Sequence, residues 1–360
     1  MVIEQYTVTT QRYNFPQPSM DTSLPQRFVE QSIHSLRQVR NQPFQLNQQT
    51  IQQDSLYENI PMTLQLKRQP LPLTPRTQET LIAAIDTSTI KIGETSTGII
   101  IAVRGATIWK QNHAYHYTRL GPFIFHITED NKKDVFNALE KSYFTVQYGA
   151  NHQSTPNLLQ MPTRLASLLE RWLQMMLART AKNGLLLFDG SLTSGTIDTP
   201  VQRMREILST ARRNRNTVLA FSKATSLRSN GYLITDLLPE RDPPYLLETT
   251  GLRFKPPFIL LGDVYVARLN KANLAFRLDI DREIPTQDRM EAVERLIGND
   301  VFQQSYPETL RLAHILCTFT ANEVLAIQHF ITRKHGIQII NRPDMHRLLF
   351  GPFGRGEGYA

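Results

Sequence analysis

The sequence predicts an α/β protein: a mixed β-sheet flanked by helices, with an N-terminal arm and a helical C-terminal part. Two observations support this prediction. Apolar runs bounded by turn residues occupy 81–85 and 185–188, as is typical of strands buried on both faces. Apolar residues also recur at helical spacing, most clearly along 162–181. The resulting order is three strands, helices, strand, helix, strand.

The composition sets limits on the class of protein. The chain has 360 residues, a net charge of +8 and a single cysteine, Cys317. This length suffices for one large domain or two ordinary ones, and the positive charge favours a polyanionic partner. One cysteine excludes an intramolecular disulfide and a cysteine-built zinc site, and is compatible with a reducing cytosol. With neither a bilayer-length apolar run nor a signal-peptide pattern, the sequence predicts a cytoplasmic protein without a membrane partner.

Residues 1–76 are predicted to form an N-terminal arm and linker, rich in glutamine and with scattered prolines. Within it, 25–40 has the apolar spacing of an amphipathic helix, and 63–75 is expected to be extended because of its proline pairs. The arm is expected to pack on the core, to dock on a partner, or both, although glutamine richness also fits disorder. The main domain is predicted at 77–345, followed by a flexible, glycine-rich tail at 346–360.

The main domain begins with a strand ending at Asp86, then strands at 97–104 and 113–127 whose short links favour an antiparallel meander. The segment 237–257 carries five prolines and is predicted to be a long loop, serving as a lid or a subunit contact. The other predicted elements are helices at 130–144, 162–181 and 200–213, strands at 217–221, 258–269 and 275–280, and helices at 286–297, 307–319 and 321–335.

Two of the buried strands end in an aspartate followed by small residues, Asp86-Thr87-Ser88 and Asp189-Gly190-Ser191. Open α/β sheets bind ligands at the carboxyl edge of their strands. Gly190 allows a tight turn there or the close approach of a phosphate. Two such acids predict a two-carboxylate metal site. The alternative is that each aspartate only caps the turn or helix that follows.

Helical residues supply the other candidates. Glu170 lies at the margin of the apolar stripe on 162–181, from where it can reach the sheet edge or remain a solvated flank residue. His314 shares an otherwise apolar helix face with Tyr306, Leu310, Ala313 and Cys317. The alternative for this face is a satisfied core histidine and a packing tyrosine.

A basic stretch after the second aspartate predicts a surface that follows a nucleic-acid backbone, although charge runs are also common on solvated faces. Lys223, at the end of the strand 217–221, could neutralise a phosphate or be a plain surface lysine. The basic residues are Arg203, Arg205, Arg212, Arg213, Arg215, Lys223 and Arg228.

Together these residues resemble the NurA nuclease family over roughly Glu79 to His335. The motifs that carry the resemblance are Asp86-Thr87-Ser88, Glu170, Asp189-Gly190-Ser191-Leu192, Ser222-Lys223, and Tyr306-Pro307 with Leu310, Ala313 and His314. Thr87 departs from the pattern, because many members have glycine there. The resemblance implies a ribonuclease H-like fold. It further implies a homodimeric, manganese-dependent DNA nuclease with exo- and endonuclease activity that works with a hexameric HerA-type ATPase in DNA end resection.

The resemblance also implies roles for five residues: Asp86, Glu170, Asp189 and His314 at the metal and catalytic positions, and Tyr306 as the site tyrosine. Phosphodiester hydrolysis commonly uses two divalent ions roughly 3.5–4 Å apart. An imidazole ligand shifts the preference from Mg²⁺ toward Mn²⁺. Two alternatives remain open: a non-catalytic scaffold of the same fold that binds DNA or an ATPase, and an enzyme of this fold that acts on RNA.

Overall fold

The computed structural model describes residues 23–39, 65–67, 69–143, 156–196, 198–229, 232–252, 254, 256–272 and 274–340. The helices are α1 (Ser23–Val39), α2 (Lys132–Tyr143), α3 (Met161–Thr180), α4 (Val201–Arg213), α5 (Thr286–Asn299), α6 (Glu308–Cys317) and α7 (Ala321–His335). The strands are β1 (Gln65–Leu66), β2 (Leu71–Pro72), β3 (Ile82–Glu94), β4 (Gly98–Gln111), β5 (Ala114–Thr128), β6 (Leu185–Asp189), β7 (Thr193–Ser194), β8 (Thr217–Ser222), β9 (Arg228–Ser229), β10 (Tyr232–Leu233), β11 (Tyr245–Thr250), β12 (Ile259–Leu260), β13 (Gly262–Arg268), β14 (Phe276–Asp281), β15 (Phe302–Gln303) and β16 (Tyr306–Pro307).

A ten-stranded sheet forms the centre of the molecule, in the order β1-β11-β13-β14-β8-β6-β3-β4-β5, with β2 also paired to β11. Strands β3, β4 and β5 form the predicted antiparallel meander. On the other side of β3, strands β6 and β8 are added in parallel. A meander extended by two parallel strands beside its first strand confirms the predicted ribonuclease H-like mixed sheet.

Helices cover both faces of this sheet. Side chains alternate between the two faces of a strand, so Ala83 and Ile85 pack in the cluster that contains α3, while Ile82 and Ala84 pack in the cluster that contains α6. The same alternation directs Asp86 to the face covered by α6. One core therefore lies between the sheet and α3 with α4, and the other between the sheet and α5 with α6.

The predicted helices form within two residues of their expected bounds, but β3 does not end at Asp86. It continues to Glu94, because β4 pairs with it along its whole length. This pairing supplies backbone hydrogen bonds to β3 beyond the point where its pairing with β6 ends. Asp86 thus lies where the parallel pairing ends, one residue after the pair Ile85 and Phe188. The prediction that the strand ends at Asp86 is therefore wrong. Of the two strands, only β6 ends at the predicted edge, whereas β3 continues past Asp86.

The proline-rich segment 237–257 is not the predicted loop. Its residues Tyr245–Thr250 form β11, which pairs with β13 inside the sheet. The prolines flank this strand and none lies within it, so every residue of the strand keeps its backbone N–H. Tyr245 and Leu247 are fully buried, which supplies the packing that a lid would lack.

Two other predicted elements also differ. The predicted strand 258–269 is divided at Leu261, because β12 pairs with β7 in a separate small sheet while β13 joins the main sheet. The predicted helix starting at Pro307 begins at Glu308, and Tyr306 precedes it in the hairpin β15–β16. Tyr306 is therefore not part of the helix face to which the sequence assigned it.

The described part of the arm packs on the sheet. Phe28 of α1 is fully buried, with its ring centroid 5.1 Å from that of Phe123 in β5. The described part of the linker is extended, and its strands β1 and β2 pair with β11. Residues 1–22 and 40–64, and the predicted tail 346–360, lie outside the described residues.

The C-terminal helices are apolar. A window of 18 residues within Glu308–His335 reaches a mean hydropathy of 1.3, and only 28% of it is buried. The chain leaves the helical conformation between α6 and α7, at Thr318–Thr320, and α6 buries Leu310 and Ala313 against the sheet. Each helix alone is shorter than the ~20 residues that a transmembrane helix needs.

Candidate active site

Asp86 and Asp189 occupy neighbouring positions on adjacent parallel strands. The last pair in register is Ile85 with Phe188, and each aspartate is the next residue of its strand. Ile82 and Ala84, and likewise Leu185 and Leu187, pack toward α6, so the alternation of side chains directs both carboxyl groups to that same face. Two acids on one face of adjacent strands repel each other, and the charge of Asp189 contributes to a raised pKa of Asp86.

The turn after Asp189 is fixed by backbone geometry and hydrogen bonds. Gly190 has a φ of 101°, which favours glycine. Its N–H donates to the carbonyl of Phe221 (2.8 Å), and its own carbonyl accepts from the Ser222 hydroxyl (2.8 Å). Two residues on, the Leu192 N–H donates to Asp279 (2.9 Å). These bonds hold the chain that leaves Asp189 against β8 and β14.

Asp86 has two close partners. Its Oδ1 accepts from the Thr87 N–H at 2.7 Å, and its Oδ2 lies 2.8 Å from Nδ1 of His314. Burial raises the pKa of Asp86, and Asp189 raises it further, against the opposing effects of His314, Lys223 and Thr87. Thr87 itself points to the other face, where its hydroxyl donates to the carbonyl of Ala166 in α3 (3.3 Å). Threonine therefore replaces glycine here without displacing the acid.

Helix α6, which carries His314, is held at both ends by groups outside it. At its N-terminus Asp300 accepts from the Thr309 N–H at 3.1 Å and from the Tyr115 hydroxyl at 2.8 Å. At its C-terminus the Thr318 hydroxyl donates to the His314 carbonyl at 2.7 Å, and Arg104 donates to the Thr318 carbonyl at 3.1 Å. The helix, and with it the imidazole, is positioned from two sides.

Glu170 of α3 lies close enough to the two aspartates for their charges to act on it. Burial raises the pKa of Glu170, Arg171 lowers it, and both Asp86 and Asp189 raise it. Its Oε1 accepts from Gln174 (3.0 Å) and lies 3.4 Å from the guanidinium of Arg171. Arg171 and Gln174, at one and four positions along the helix, are neighbours that sequence reasoning missed, although helical spacing alone would have indicated Gln174.

Tyr306 is buried beside the acids. Its ring packs edge-on against Phe276, with ring centroids 5.2 Å apart. Its hydroxyl is buried and has no hydrogen-bond partner among the described residues. Burial raises the pKa of Tyr306, and the charges of Asp189 and Asp86 raise it further. A buried hydroxyl without a protein partner is costly to keep, and so it is available to a ligand.

Lys223 provides the positive charge next to these acids. Its Nζ lies 2.6 Å from Oδ2 of Asp189 and 5.9 Å from the ring centroid of Tyr306. The sequence placed Lys223 near the site as a phosphate-neutralising group, and the structure adds the contact with Asp189. That contact joins two strands at the same edge, where Ser222, the residue before Lys223, is also bonded to Gly190.

Cys317 is a neighbour that the sequence placed on the helix face of His314 without giving it a role. Ligand atoms of Asp86, His314 and Cys317 all lie within 4.8 Å of one another. Burial raises the pKa of the thiol, and Asp86 raises it further, so the thiol stays protonated at neutral pH. Its Sγ donates to the carbonyl of His314 at 3.2 Å.

The donor set at this edge suits a hard divalent cation. Asp86, Asp189 and Glu170 provide carboxylate oxygens, and His314 provides an imidazole nitrogen. Burial is the main cause of the raised pKa values of Asp86 and Glu170, and the negative charges of neighbouring acids add to it, so positive charge beside them would be favourable. A divalent cation between them would supply that charge, so the residues present fit a metal ion.

The predicted basic stretch is distributed over two edges of the sheet. Helix α4 connects the parallel strands β6 and β8 and runs back past them, so its C-terminal end lies at the edge where these strands begin. There Asn214 and Asn216 donate to the carbonyls of Ala178 and Ala181, just before β6. Because β6 has five residues, roughly 16 Å separate this edge from Asp189.

Five of the basic residues accordingly fall into two groups, one at each edge. Lys223 and Arg228 follow the end of β8, on the side of Asp189. Arg203 and Arg212 are engaged in ion pairs, the first with Glu206 (2.9 Å) and the second with Asp281 and Glu283. The residues at the far edge are Arg212, Arg213 and Arg215, of which the last two are exposed.

The NurA domain family matches residues 80–316. No curated protein sequence matches the chain. Among solved structures, an endonuclease V from Bacillus subtilis is 12% identical, covering 74% of this chain and 89% of that one, with a TM-score of 0.32.

Two Argonaute structures are also similar. The C-terminal lobe of a budding yeast Argonaute is 11% identical, covering 72% of this chain and 50% of that one, with a TM-score of 0.31. Kluyveromyces polysporus Argonaute with a guide RNA is 12% identical, covering 66% and 26%, with a TM-score of 0.28. Likenesses this distant carry no conclusion about activity. The family match spans well over half of the chain and includes all five residues gathered at the sheet edge, and the chain therefore belongs to the NurA family of nucleases.

Proposed function

We propose that the protein is a divalent-metal-dependent deoxyribonuclease that hydrolyses phosphodiester bonds, with both exo- and endonuclease action. The observation that carries the proposal is the position of Asp86 and Asp189 at adjacent places on parallel strands, on one face, with Glu170 within reach of both charges. Three acids whose charges act on one another are best used as a cation site, because without a cation they repel each other.

Each residue has a role that its surroundings support. Asp86, Glu170 and Asp189 would hold the cation, which when bound neutralises charge on the phosphodiester and acts as a Lewis acid. His314 is half exposed, and where its Nδ1 carries the proton toward Asp86, the lone pair of its Nε2 would bind the cation alongside the carboxylates. The hydroxyl of Tyr306, which has no hydrogen-bond partner among the described residues, would donate to a phosphate oxygen.

We propose Mn²⁺ as the preferred ion, with Mg²⁺ as a substitute, and two ions per site. The imidazole of His314 beside the carboxylates supports the preference for Mn²⁺, because imidazole suits transition metals better than magnesium. The three carboxylates carry three negative charges, and one divalent ion would leave one of these charges uncompensated. This supports two ions per site. Calorimetric titration with each ion would give both the preference and the number of ions bound.

The decisive experiment compares substrates and metals. Purified protein is incubated with single-stranded DNA, double-stranded DNA and RNA, each with Mn²⁺, Mg²⁺ or a chelator. We expect cleavage of DNA with Mn²⁺, less with Mg²⁺ and none with the chelator. An Asp86→Asn variant, purified in the same way, controls for contaminating nucleases. Cleavage restricted to RNA would replace the proposed substrate, and cleavage of nothing in any metal would favour a non-catalytic scaffold.

We further propose that the protein acts in DNA end resection as a homodimer, together with a hexameric HerA-type ATPase, in the cytoplasm. Membership of the family supports the partner and the dimer, and the single, buried cysteine suits a reducing compartment. Sedimentation over a broad concentration range tests the dimer. Addition of a purified HerA-type ATPase with ATP should increase the rate of DNA cleavage, and an unchanged rate would argue against the partnership.

A further inference from the structure

Lys223 contacts Asp189 directly, but its side chain is exposed enough to move away from it. Its Nζ is 2.6 Å from Asp189, and its side chain is 41% exposed. The flexible four-carbon stem of a lysine allows its charge to move while its backbone stays fixed. Here the backbone is fixed by β8, which ends one residue earlier and is bonded to Gly190 through Ser222.

Arg104, by contrast, is a cationic side chain that its contacts hold in one position. The side chain of Arg104 is 4% exposed, and it donates to both carboxylate oxygens of Glu323, at 2.7 and 3.2 Å. Its guanidinium also lies over the ring of Phe319, 4.3 Å from the centroid. Lys223 makes one contact with a carboxylate that is itself partly exposed, so it can be displaced at far lower cost.

A divalent cation bound by Asp86 and Asp189 would compete with Lys223 for the same carboxylate oxygen. The positive charge of Lys223 also acts on Asp86, whose pKa it lowers. Placing a second positive charge beside the ammonium is unfavourable, so the ammonium is expected to move away when the cation binds. From the same strand end it remains near the substrate position.

We propose that Lys223 changes partner during the reaction: it binds Asp189 in the metal-free protein and, once a divalent cation takes Asp189, binds a phosphate of the DNA. The inference rests on the proposed function, and it adds that metal binding and DNA binding are coupled through this one side chain. Lys223 therefore weakens the binding of the first ion and strengthens the binding of DNA only after that ion is bound.

The test uses Lys223→Met, which keeps the unbranched side chain at one atom shorter and removes its charge. Mn²⁺ binding is measured by calorimetry without DNA. Binding of a nuclease-resistant phosphorothioate oligonucleotide is measured by fluorescence anisotropy, with Mn²⁺ and with chelator. We expect the variant to bind Mn²⁺ about tenfold more tightly, because a competing charge is gone. We expect it to bind the oligonucleotide about tenfold more weakly with Mn²⁺, and as well as the parent protein with chelator.

Two variants sharpen the result. Lys223→Arg keeps the charge, so its affinities should stay close to those of the parent protein. Lys67→Met removes the charge of another partly exposed lysine, whose Nζ is also 2.6 Å from a carboxylate, that of Glu248 at the distant strand β11. It should change neither affinity, which controls for the loss of one positive charge.

The outcomes separate this inference from the proposed function. Unchanged or weaker Mn²⁺ binding in Lys223→Met would overturn the exchange, and so would a loss of oligonucleotide affinity that is the same with Mn²⁺ and with chelator. Neither measurement requires cleavage. A parent protein that cleaves no DNA would therefore count against the proposed nuclease, while the two binding measurements would still decide the role of Lys223.

Discussion

The replacement of Asp189 by asparagine tests the site most directly. Asparagine keeps the size of the side chain and its capacity to accept a hydrogen bond, so a residue that only caps a turn would tolerate the change. In the structure Asp189 bonds to Lys223 and raises the pKa of Asp86, which a capping role would not require. Loss of one preorganised electrostatic contact costs roughly a hundred- to a thousandfold in rate. We expect Mn²⁺-dependent DNA cleavage to fall by that factor.

The stability of the same variant should hardly change. The contact of Asp189 with Lys223 is partly exposed, and its loss costs roughly 0.2–1 kcal/mol. Removal of the charge also relieves the repulsion of Asp86, which acts in the opposite direction. The two effects leave a net change within about 1 kcal/mol, which is a shift in Tm of about 2–4 °C or less for a domain of this size.

The assay is single-turnover cleavage of a labelled duplex at saturating Mn²⁺, with a thermal melt of each protein. Glu248→Gln is the matched control, since it removes a carboxylate from the partly exposed pair with Lys67 at the far side of the sheet. It should retain full activity. A variant at position 189 that cuts DNA at close to the parent rate would refute the reasoning, and so would a loss of activity accompanied by a large fall in Tm.

Four further predictions follow from particular contacts. Tyr306→Phe removes a hydroxyl without a partner among the described residues, so thermal melts should show no loss of stability while the cleavage rate falls about tenfold or more. Burial opposes the charge of Glu323, but hydrogen bonds from Arg104 lower its pKa to about 2; Glu323→Gln should therefore destabilise the protein by roughly 2 kcal/mol above pH 4.5, and the difference in urea unfolding should shrink as the pH falls toward 2. Burial lowers the pKa of His126 to about 4, so stability should fall by about 2 kcal/mol between pH 8 and pH 5, and a His126→Leu variant should lose that dependence. Affinity for DNA, measured by anisotropy, should fall steeply between low and physiological salt, and a flat response would exclude phosphate contacts as its main source.

The candidate acids and most elements around them could be predicted from the sequence. The continuous apolar runs before Asp86 and Asp189, and the helical stripe on α3, are features of short segments. Such a pattern depends on which residues follow one another, and it holds whatever the rest of the chain does. The same local information predicted Gly190 as a turn residue, and its positive φ agrees.

Other features were decided by pairings between distant segments. Strand β3 continues past Asp86 because β4 pairs with it, and β11 forms because β13 and the linker strands lie on either side of it. The basic stretch was predicted as one surface, but α4 runs back past the parallel strands and divides it between two edges. A local pattern carries no information about which neighbour a strand will have.

The candidate site depends both on local sequence and on the packing of distant segments. The sequence by itself determined the residue types, a set of carboxylates with one imidazole, one phenol and one ammonium, and the place of each acid after an apolar run. Only the tertiary structure decided that His314 contacts Asp86 across 228 residues and that Lys223 contacts Asp189 across 34. Chemical character is fixed residue by residue, whereas the approach of two side chains depends on how the whole sheet and its covering helices pack, because only that packing brings separate segments within a few ångströms.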